Sequence, residues 1–304
     1  MIAARLFADH GGEYFPNYIR PKSWNEWVVH IMWAYYRRSP VFTVMQHKYL
    51  AKQHVREKAG EQHVVKLLGV YDWPEDIDFE KLPKSFVLKA TIGFQGKQVI
   101  VVRDKSEMDK ADVITKLRGF ISNPKNYNIT KFTKNRILAE EYLENSDGTP
   151  ISDYKFFCSM GDVFACRVHE APADDITSDA KKLSHYSIPD WQYIPALQGR
   201  TEDGGGWLDT NPNVPRPKNL DAMIELSKKM SADLPLLRLD LYGAGERILV
   251  GEMTTAASGG WVPMSPAKYD FEFGSHVKFP DDPHVVDEWI ARDIAKYGKA
   301  EDLI

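Results

Sequence analysis

LLRLDLYGAGERILVGEMT, residues Leu236 to Thr254, is the stretch on which the reading of this chain turns. Two runs of alternating apolar and polar residues flank a Gly-Ala-Gly break, the pattern of a β-hairpin. In the first run Leu237, Leu239 and Leu241 point one way and Arg238, Asp240 and Tyr242 the other, because strand side chains alternate. In the second run Ile248, Val250, Glu252 and Thr254 share a face. An odd-length loop, Gly243 to Arg247, brings Arg238, Asp240, Glu252 and Thr254 to one side. It sets Glu252 opposite Arg238 and leaves Asp240 on the diagonal, about 7 Å away. Two carboxylates and an arginine on one face can hold a divalent cation beside a phosphate. The same spacing also suits an exposed face carrying a surface ion pair. Asp240→Asn and Glu252→Gln separate the two: a metal site predicts lost turnover with the melting temperature unchanged, and an ion pair predicts lost stability.

The 304 residues suffice for a large core divided between two lobes. Composition is that of a soluble protein, 43% hydrophobic and 27% charged, with a formal net charge of −4. That balance gives no global attraction to nucleic acid or to an anionic membrane. The only cysteines, Cys158 and Cys166, both fall within expected strands, so a disulfide framework is not expected and a reducing, cytoplasmic setting is favoured. The first residues, MIAARLFADHGG, have too short an apolar run for a signal peptide, and no stretch has the length of a membrane span. Nothing in the sequence specifies an oligomeric state.

Residues 1–22 read as irregular. Ser23-Trp24-Asn25-Glu26 is a capping box, and Trp24, Trp27, Val28, Ile31, Met32 and Tyr35 then recur at helical spacing to about Arg37. A second helix is expected from Thr43 to Lys58, carrying His47, Lys48 and Lys52, with Gly60 ending it. Strands are expected at Val64–Tyr71, Phe86–Thr91, Gln98–Arg103 and Arg136–Leu143, with a helix at Ser106–Ile121. A strand pair, Asp153–Ser159 and Asp162–His169, turns at Met160-Gly161. Residues 170–216, rich in Asp, Gly, Pro and Ser, read as a long loop, the kind that serves as a lid or mobile segment. Helices close the chain at Leu220–Met230 and Asp287–Tyr297. Antiparallel hairpins with interspersed helices indicate an α+β fold rather than a doubly wound parallel sheet.

Gly93-Phe94-Gln95-Gly96-Lys97 fits neither a P-loop nor a dinucleotide fingerprint, yet a glycine turn between antiparallel strands can wrap phosphates with its N–H groups. It is equally the composition of a plain hairpin turn. Lys89 lies on the strand leading into it. Glu140 and Glu141 stand where a strand runs into a connector, a place able to offer backbone groups to a nucleobase and a carboxylate to a ribose, or simply an acidic sheet edge. Signatures of a serine triad or a zinc site are absent from the sequence.

The order of these elements is more specific than any one of them. LPKSFVLKATIGFQGK (82–97), RILAEEYL (136–143), ISDYKFFCSMGD (151–162), RLDLYG (238–243), GEMTTAASGG (251–260) and YDFEFG (269–274) together resemble the ATP-grasp superfamily, and within it the TupA-like proteins of teichuronopeptide and surface-polysaccharide synthesis. The resemblance spans about residues 21–275. It implies ATP held between two antiparallel sheets, one in each α+β lobe. The expected division is a short helical N-terminal region at 1–82, a glycine-turn lobe at 83–143, a metal lobe at 144–280 and a C-terminal helix at 281–304.

By that likeness Lys48 and Lys89 neutralise the α- and β-phosphates, and the flap Gly93 to Lys97, with Gly96 and Lys97, closes over them. The carbonyl of Glu140 or Glu141 and the N–H of Leu143 meet adenine, with an acidic side chain on the ribose. Asp240, Glu252 and Thr254 ligate Mg²⁺, and Arg238 faces the transferring phosphoryl group. Lys155 touches phosphate or acceptor. Thr254 stands where the superfamily commonly has Asn, and His47 where an acidic residue is usual before the lysine.

The reaction implied is ADP-forming amide synthesis. ATP phosphorylates a carboxylate, an amine attacks the acyl phosphate, and the protein supplies positioning and charge stabilisation. The loop from about Asp174 to Asp209 would shield the acyl phosphate from water. Substrates are small-molecule or glycan carboxylates and amines. Two other readings stay open: a kinase on the same scaffold with a sugar or other hydroxyl acceptor, and a non-catalytic nucleotide-binding protein.

Overall fold

The computed structural model describes residues 2–93, 98–122, 133–145, 151–170, 182–199, 206–299 and 303. Helices α1 (Ile2–Asp9), α2 (Trp24–Ala34), α3 (Pro40–Gln46) and α4 (Lys48–Ala59) lead into strands β1 (Leu67–Tyr71), β2 (Phe86–Ala90) and β3 (Val99–Val102). Helix α5 (Lys110–Ser122) precedes β4 (Ile137–Glu141), β5 (Ser152–Ser159), β6 (Asp162–Glu170), β7 (Lys182–Ser187), β8 (Tyr193–Ile194) and β9 (Leu197–Gln198). After α6 (Leu220–Ser231) come β10 (Leu237–Ala244), β11 (Arg247–Thr254), β12 (Met264–Ser265), α7 (Lys268–Ser275) and α8 (Pro283–Tyr297).

Two antiparallel sheets organise the molecule: a smaller one in the order β1-β4-β2-β3 and a larger one in the order β11-β10-β5-β6-β7-β8. The smaller sheet covers its own core, in which Phe86 and Leu88 of β2 join Leu117 of α5 and Ile137 and Ala139 of β4. Because β2 alternates, Val87 and Lys89 face the other way and are only partly buried. A larger core gathers Leu237, Leu239 and Leu241 of β10, Phe156 and Cys158 of β5, and Leu220, Met223 and Met230 of α6, together with Trp24, Ile31 and Tyr35 of α2 and its end. Helices α2, α3, α4 and α8 thus share the larger sheet's core. Both cysteines are free and buried.

Local chemistry sets the helix starts. Ser23 Oγ accepts from the Glu26 N–H, and a Glu26 carboxylate oxygen accepts from the Ser23 N–H, as the capping box requires. The single helix expected over 43–58 is instead two. His47 stands extended between α3 and α4, and its Nδ1 accepts from the Leu50 N–H as the N-cap of α4. Met160 and Gly161, at φ 47° and 79°, make the two-residue β5–β6 turn that matches the twist of antiparallel strands.

Two further expectations change. Residues 2–9 are helical rather than irregular, and residues 170–216 contain β7, β8 and β9, so a third of the larger sheet's order comes from a segment whose composition reads as loop. Within that segment 171–181 and 200–205 lie outside the described residues, as do Phe94 to Lys97 and so the expected phosphate contacts of Gly96 and Lys97. Among the described residues no helix is long and apolar enough to cross a membrane.

Candidate active site

The β10–β11 hairpin carries the chemistry, in a register of its own. Ala244 pairs with Arg247, so the loop is two residues, Gly245-Glu246, rather than five. An even loop alone would set the two polar sets on opposite faces. A bulge between Asp240 and Leu241 on one strand, with Gly251 the extra residue on the other, shifts the register by one. Arg238 then faces Thr254, and Asp240 faces Glu252, so all four share a face as the sequence suggested. Glu252 opposes Asp240, not Arg238, and this corrects the expected pairing.

Asp240 is 2% exposed and serves as the hub. Arg238 donates from Nε to Asp240 Oδ1 at 2.7 Å and from Nη2 to Oδ2 at 2.9 Å, a bidentate fork. The same Nη2 donates to Thr254 Oγ1 at 3.1 Å and lies 3.8 Å from a Glu252 carboxylate oxygen. Lys155, opposite Asp240 on β5, donates to Asp240 Oδ2 and to Asp153 Oδ2, both at 2.6 Å. Burial pushes the Asp240 carboxyl up, but Arg238 and Lys155 outweigh it and hold the group below its ordinary value. The Glu252 side chain is 42% exposed.

The strand register extends this row across the sheet. Glu252, Asp240, Lys155, Arg167 and His185 are successive partners on β11, β10, β5, β6 and β7, so all five stand on one face.

A second charged cluster stands across the cleft. Glu140 of β4 is 2% exposed and receives Lys89 of β2 at 2.7 Å and Lys52 of α4 at 3.1 Å. Burial raises its carboxyl, yet Lys89 and then Lys52 more than offset this and hold it at about 2. Lys48, one turn before Lys52, donates instead to the Gly93 carbonyl at 2.8 Å. Burial pushes its ammonium below the usual lysine range, and Glu252 pulls it back up. Lys48, Lys52, Lys89, Glu140, Gly251 and Glu252 line one cleft of about 440 Å³, measured with its open mouth.

The structure therefore brings Lys48, Lys89 and Glu140 into one cleft with Glu252, while Arg238, Asp240, Thr254 and Lys155 stand on the same sheet face as Glu252, outside the cleft lining. Gly93 joins them through its carbonyl. Glu140 enters through its side chain rather than as a strand-end backbone group, since it is paired on both sides, with Leu67 and Val87. Glu141 turns away to Arg247, at 2.5 Å, and to the Lys66 N–H, at 3.0 Å, so its carboxylate is engaged there. Leu143 lies two residues past the end of β4, partly buried. Sequence reasoning assigned no role to Lys52, although i, i+4 spacing from Lys48 places both on one helix face. It also passed over Arg167 and His185, whose common face emerges only from strand pairing.

A family model described as TupA-like ATPgrasp matches residues 29–278. The chain belongs to the TupA-like ATP-grasp family. Solved structures similar to this TupA-like chain are distant. N5-carboxyaminoimidazole synthetase from Staphylococcus aureus, complexed with ADP, is 14% identical, with 78% of this chain and 53% of that one covered and a TM-score of 0.46. D-Alanine–D-alanine ligases from Bacillus anthracis and Helicobacter pylori are each 14% identical, covering 85% and 82% of this chain and 70% and 61% of theirs, at TM-scores of 0.43 and 0.40. The chain thus spans little more than half to about two thirds of the length of these structures. No curated protein matches the sequence.

The donor set on the hairpin fits the divalent cation expected for an ATP-grasp protein. Asp240 accepts three hydrogen bonds, which leaves one of a carboxylate's roughly four lone-pair positions free, on Oδ1. Glu252 directly opposes it, and two facing carboxylates repel unless a cation lies near. Among the described residues no three His, Cys, Asp or Glu groups converge on one point. One or two carboxylates completed by substrate phosphates is how Mg²⁺ is usually held, whereas an all-protein cage is not.

Proposed function

We propose that this TupA-like ATP-grasp protein is an ATP- and Mg²⁺-dependent ligase that joins a carboxylate to an amine through an acyl phosphate. We further propose that it works in the cytoplasm, adding an amino acid or amine to a surface polysaccharide or its precursor, a setting supported by membership of the TupA-like family. One observation carries the reading: a lysine cluster ordered on Glu140 shares a single cleft with Glu252, and Glu252 pairs in the ladder with Asp240, which Arg238 and Lys155 hold.

In this reading residues 83–143 form the lobe that takes the nucleotide phosphates and 144–280 the lobe that holds the metal, with 1–82 and 281–304 packed beside them. Lys48, whose ammonium rests on a carbonyl rather than a carboxylate, has its charge to give to a phosphate. Lys89 and Lys52 are held in position by Glu140 and add to the same field. Asp240 and Glu252 would hold Mg²⁺, with the Thr254 hydroxyl beside them. When bound, the ion neutralises phosphate oxygens and polarises the transferring group. Arg238, fixed on Asp240, stabilises charge on the phosphoryl group as it moves, and Lys155 neutralises the acceptor side.

Incubation with ATP, Mg²⁺, hydroxylamine and an extract of surface-glycan precursors tests the reading. A ligase releases ADP and traps its acyl phosphate as a hydroxamate. Phosphorylated product without hydroxamate would establish the kinase reading instead. Absence of ADP release with every extract would establish a protein that only binds nucleotide.

A further inference from the structure

Arg167 is the charged member of the cross-sheet row for which the proposed chemistry has no use. It lies on β6 between Lys155 and His185 and is 6% exposed. Its Nη1 donates to Gln198 Oε1 at 2.7 Å, and Gln198 is itself tethered by donating to the Val262 carbonyl at 3.2 Å. The guanidinium lies 5.9 Å from the Phe157 ring centroid. Its Nε–H is buried and makes no hydrogen bond.

The carboxylates nearest along the row, Asp240 and Asp153, act on this charge through space, but neither makes a hydrogen bond or ion pair with it. Asp240 is taken by Arg238 and Lys155, and Asp153 by Lys155. A guanidinium buried against a neutral amide and an aromatic ring is strongly unfavourable unless an anion joins it. Beside it His185, fully buried, meets the Ala196 carbonyl through Nδ1 at 3.1 Å. A carbonyl can only accept, so Nδ1 carries the proton and Nε2 is a lone pair, and Nε2 also lacks a partner. A donor edge and an acceptor therefore stand side by side, buried and unanswered.

We infer that Arg167, held by Gln198 and flanked by His185, grips a substrate carboxylate that is bound but not consumed. The planar Nε edge matches a carboxylate in the two-bond geometry of arginine, whereas the phosphates are already met by the lysines and Arg238. Arg167 stands two strands from Asp240, about 10 Å along the sheet at the usual strand spacing. That separates an anion on Arg167 from the reacting centre by roughly the length of a small amino acid or diacid. The acceptor is then a molecule with one reacting group and one free carboxylate, such as an amino acid whose amine attacks while its carboxylate sits on Arg167. The word acceptor rests on the ligase reading; the anion site itself does not.

Saturation-transfer NMR on the full chain, with and without Mg²⁺ and a non-hydrolysable ATP analogue, tests this. The probes are glycine, L-alanine, L-glutamate and succinate, each against its carboxamide, with inorganic phosphate as competitor. Wild type should bind at least one carboxylate in preference to its amide. Arg167→Met should weaken that binding by about tenfold to a hundredfold, Arg167→Lys should restore part of it, and analogue affinity should stay within about twofold of wild type. The Arg167→Met melting temperature should equal or exceed that of wild type, because an unanswered buried charge has gone. Equal carboxylate binding by Arg167→Met, no probe preferred over its amide, or binding of phosphate alone would overturn the inference. So would a large loss of stability matched in Arg167→Lys, which would make the residue a structural prop. Failure of wild type to bind the analogue would bring down the ligase reading, while the nucleotide-free arm still decides Arg167.

Discussion

Asp240 and Glu252 face each other in the ladder and differ in everything else. Asp240 is buried under three charge-assisted hydrogen bonds, and Glu252 is 42% exposed with its nearest cation at 3.8 Å. The sequence alone predicts that neutralising either leaves stability unchanged, and the burial of Asp240 revises this. Asp240→Asn should remove turnover and also destabilise by about 3–5 kcal/mol, because Arg238 and Lys155 lose their shared partner. Glu252→Gln should remove turnover with a melting temperature near wild type, and calorimetry on both variants separates the effects. Burial also depresses three histidines: His47 and His54 to about 4, and His185 to about 3. Each binds a proton more readily unfolded, so its stabilisation is complete above pH 6.5 and is lost as pH falls toward the folded value. For His47 protonation also abolishes the Nδ1 cap of α4. Asp270, raised to about 6 by burial, works in the opposite sense and offsets roughly one of the three between pH 6 and 4. The net expectation is a loss of about 1–3 kcal/mol per pH unit on acidification through that range. His54→Gln should flatten the slope of melting temperature against pH; an unchanged slope would show that His54 is not one of the groups responsible.

At the scale of elements, the bulge at Gly251 decides whether the hairpin is a site at all. With a two-residue loop and an unbroken ladder, Glu252 and Thr254 would join the buried side with Leu239 and Leu241. A side chain at 251 has no room, since a Cβ there would lie 2.6 Å from the Tyr242 ring. Gly251→Ala should therefore destabilise by about 1–3 kcal/mol as the ring is displaced. Deletion of Gly251 should straighten the ladder and still leave Glu252 opposite Asp240, because Glu252 then follows Val250 directly, so ADP formation should survive. Loss of activity in a stably folded deletion variant would show that the bulge shapes the site beyond setting this register. The break at His47 works in the same way: it lets α4 start at Lys48, so that Lys48 and Lys52 point into the cleft one turn apart.

At the scale of the molecule, a net charge of −4 conceals a cationic interior. Among the described residues, the cleft and the sheet face beside it carry Lys48, Lys52, Lys89, Lys155, Arg167 and Arg238 against Glu140, Asp153, Asp240 and Glu252. A net positive excess in a low-dielectric cleft concentrates anions that the outer surface repels. Affinity for a Mg²⁺-loaded ATP analogue should accordingly weaken as salt rises from about 0.05 to 0.5 M, as the screening length shortens toward the dimensions of the cleft. Titration calorimetry across that range reads the slope, and a salt-independent affinity would mean that Lys48, Lys52, Lys89 and Arg238 are not what holds the phosphates.

The linear sequence by itself determined the parts that depend on neighbours along the chain. Alternation in 236–254 marked the hairpin, Ser23 and Glu26 marked the start of α2, and the order of lysine, glycine turn, Glu-Glu strand and Arg-x-Asp hairpin marked the family. What it left out depends on residues far apart in sequence. The pairing of Asp240 with Glu252 came from a bulge that alternation does not register, because one extra residue leaves the composition of both strands intact. Glu140 joined Lys89 and Lys52 only when β4 inserted between β1 and β2 and laid a side chain, not a backbone group, under α4. Arg167 and His185 joined the row of Asp240 through three successive strand pairings, and β7 arose in a segment whose composition reads as loop. Only the tertiary structure could assemble that row, because strand register is set by which faces bury together, and no local pattern contains it.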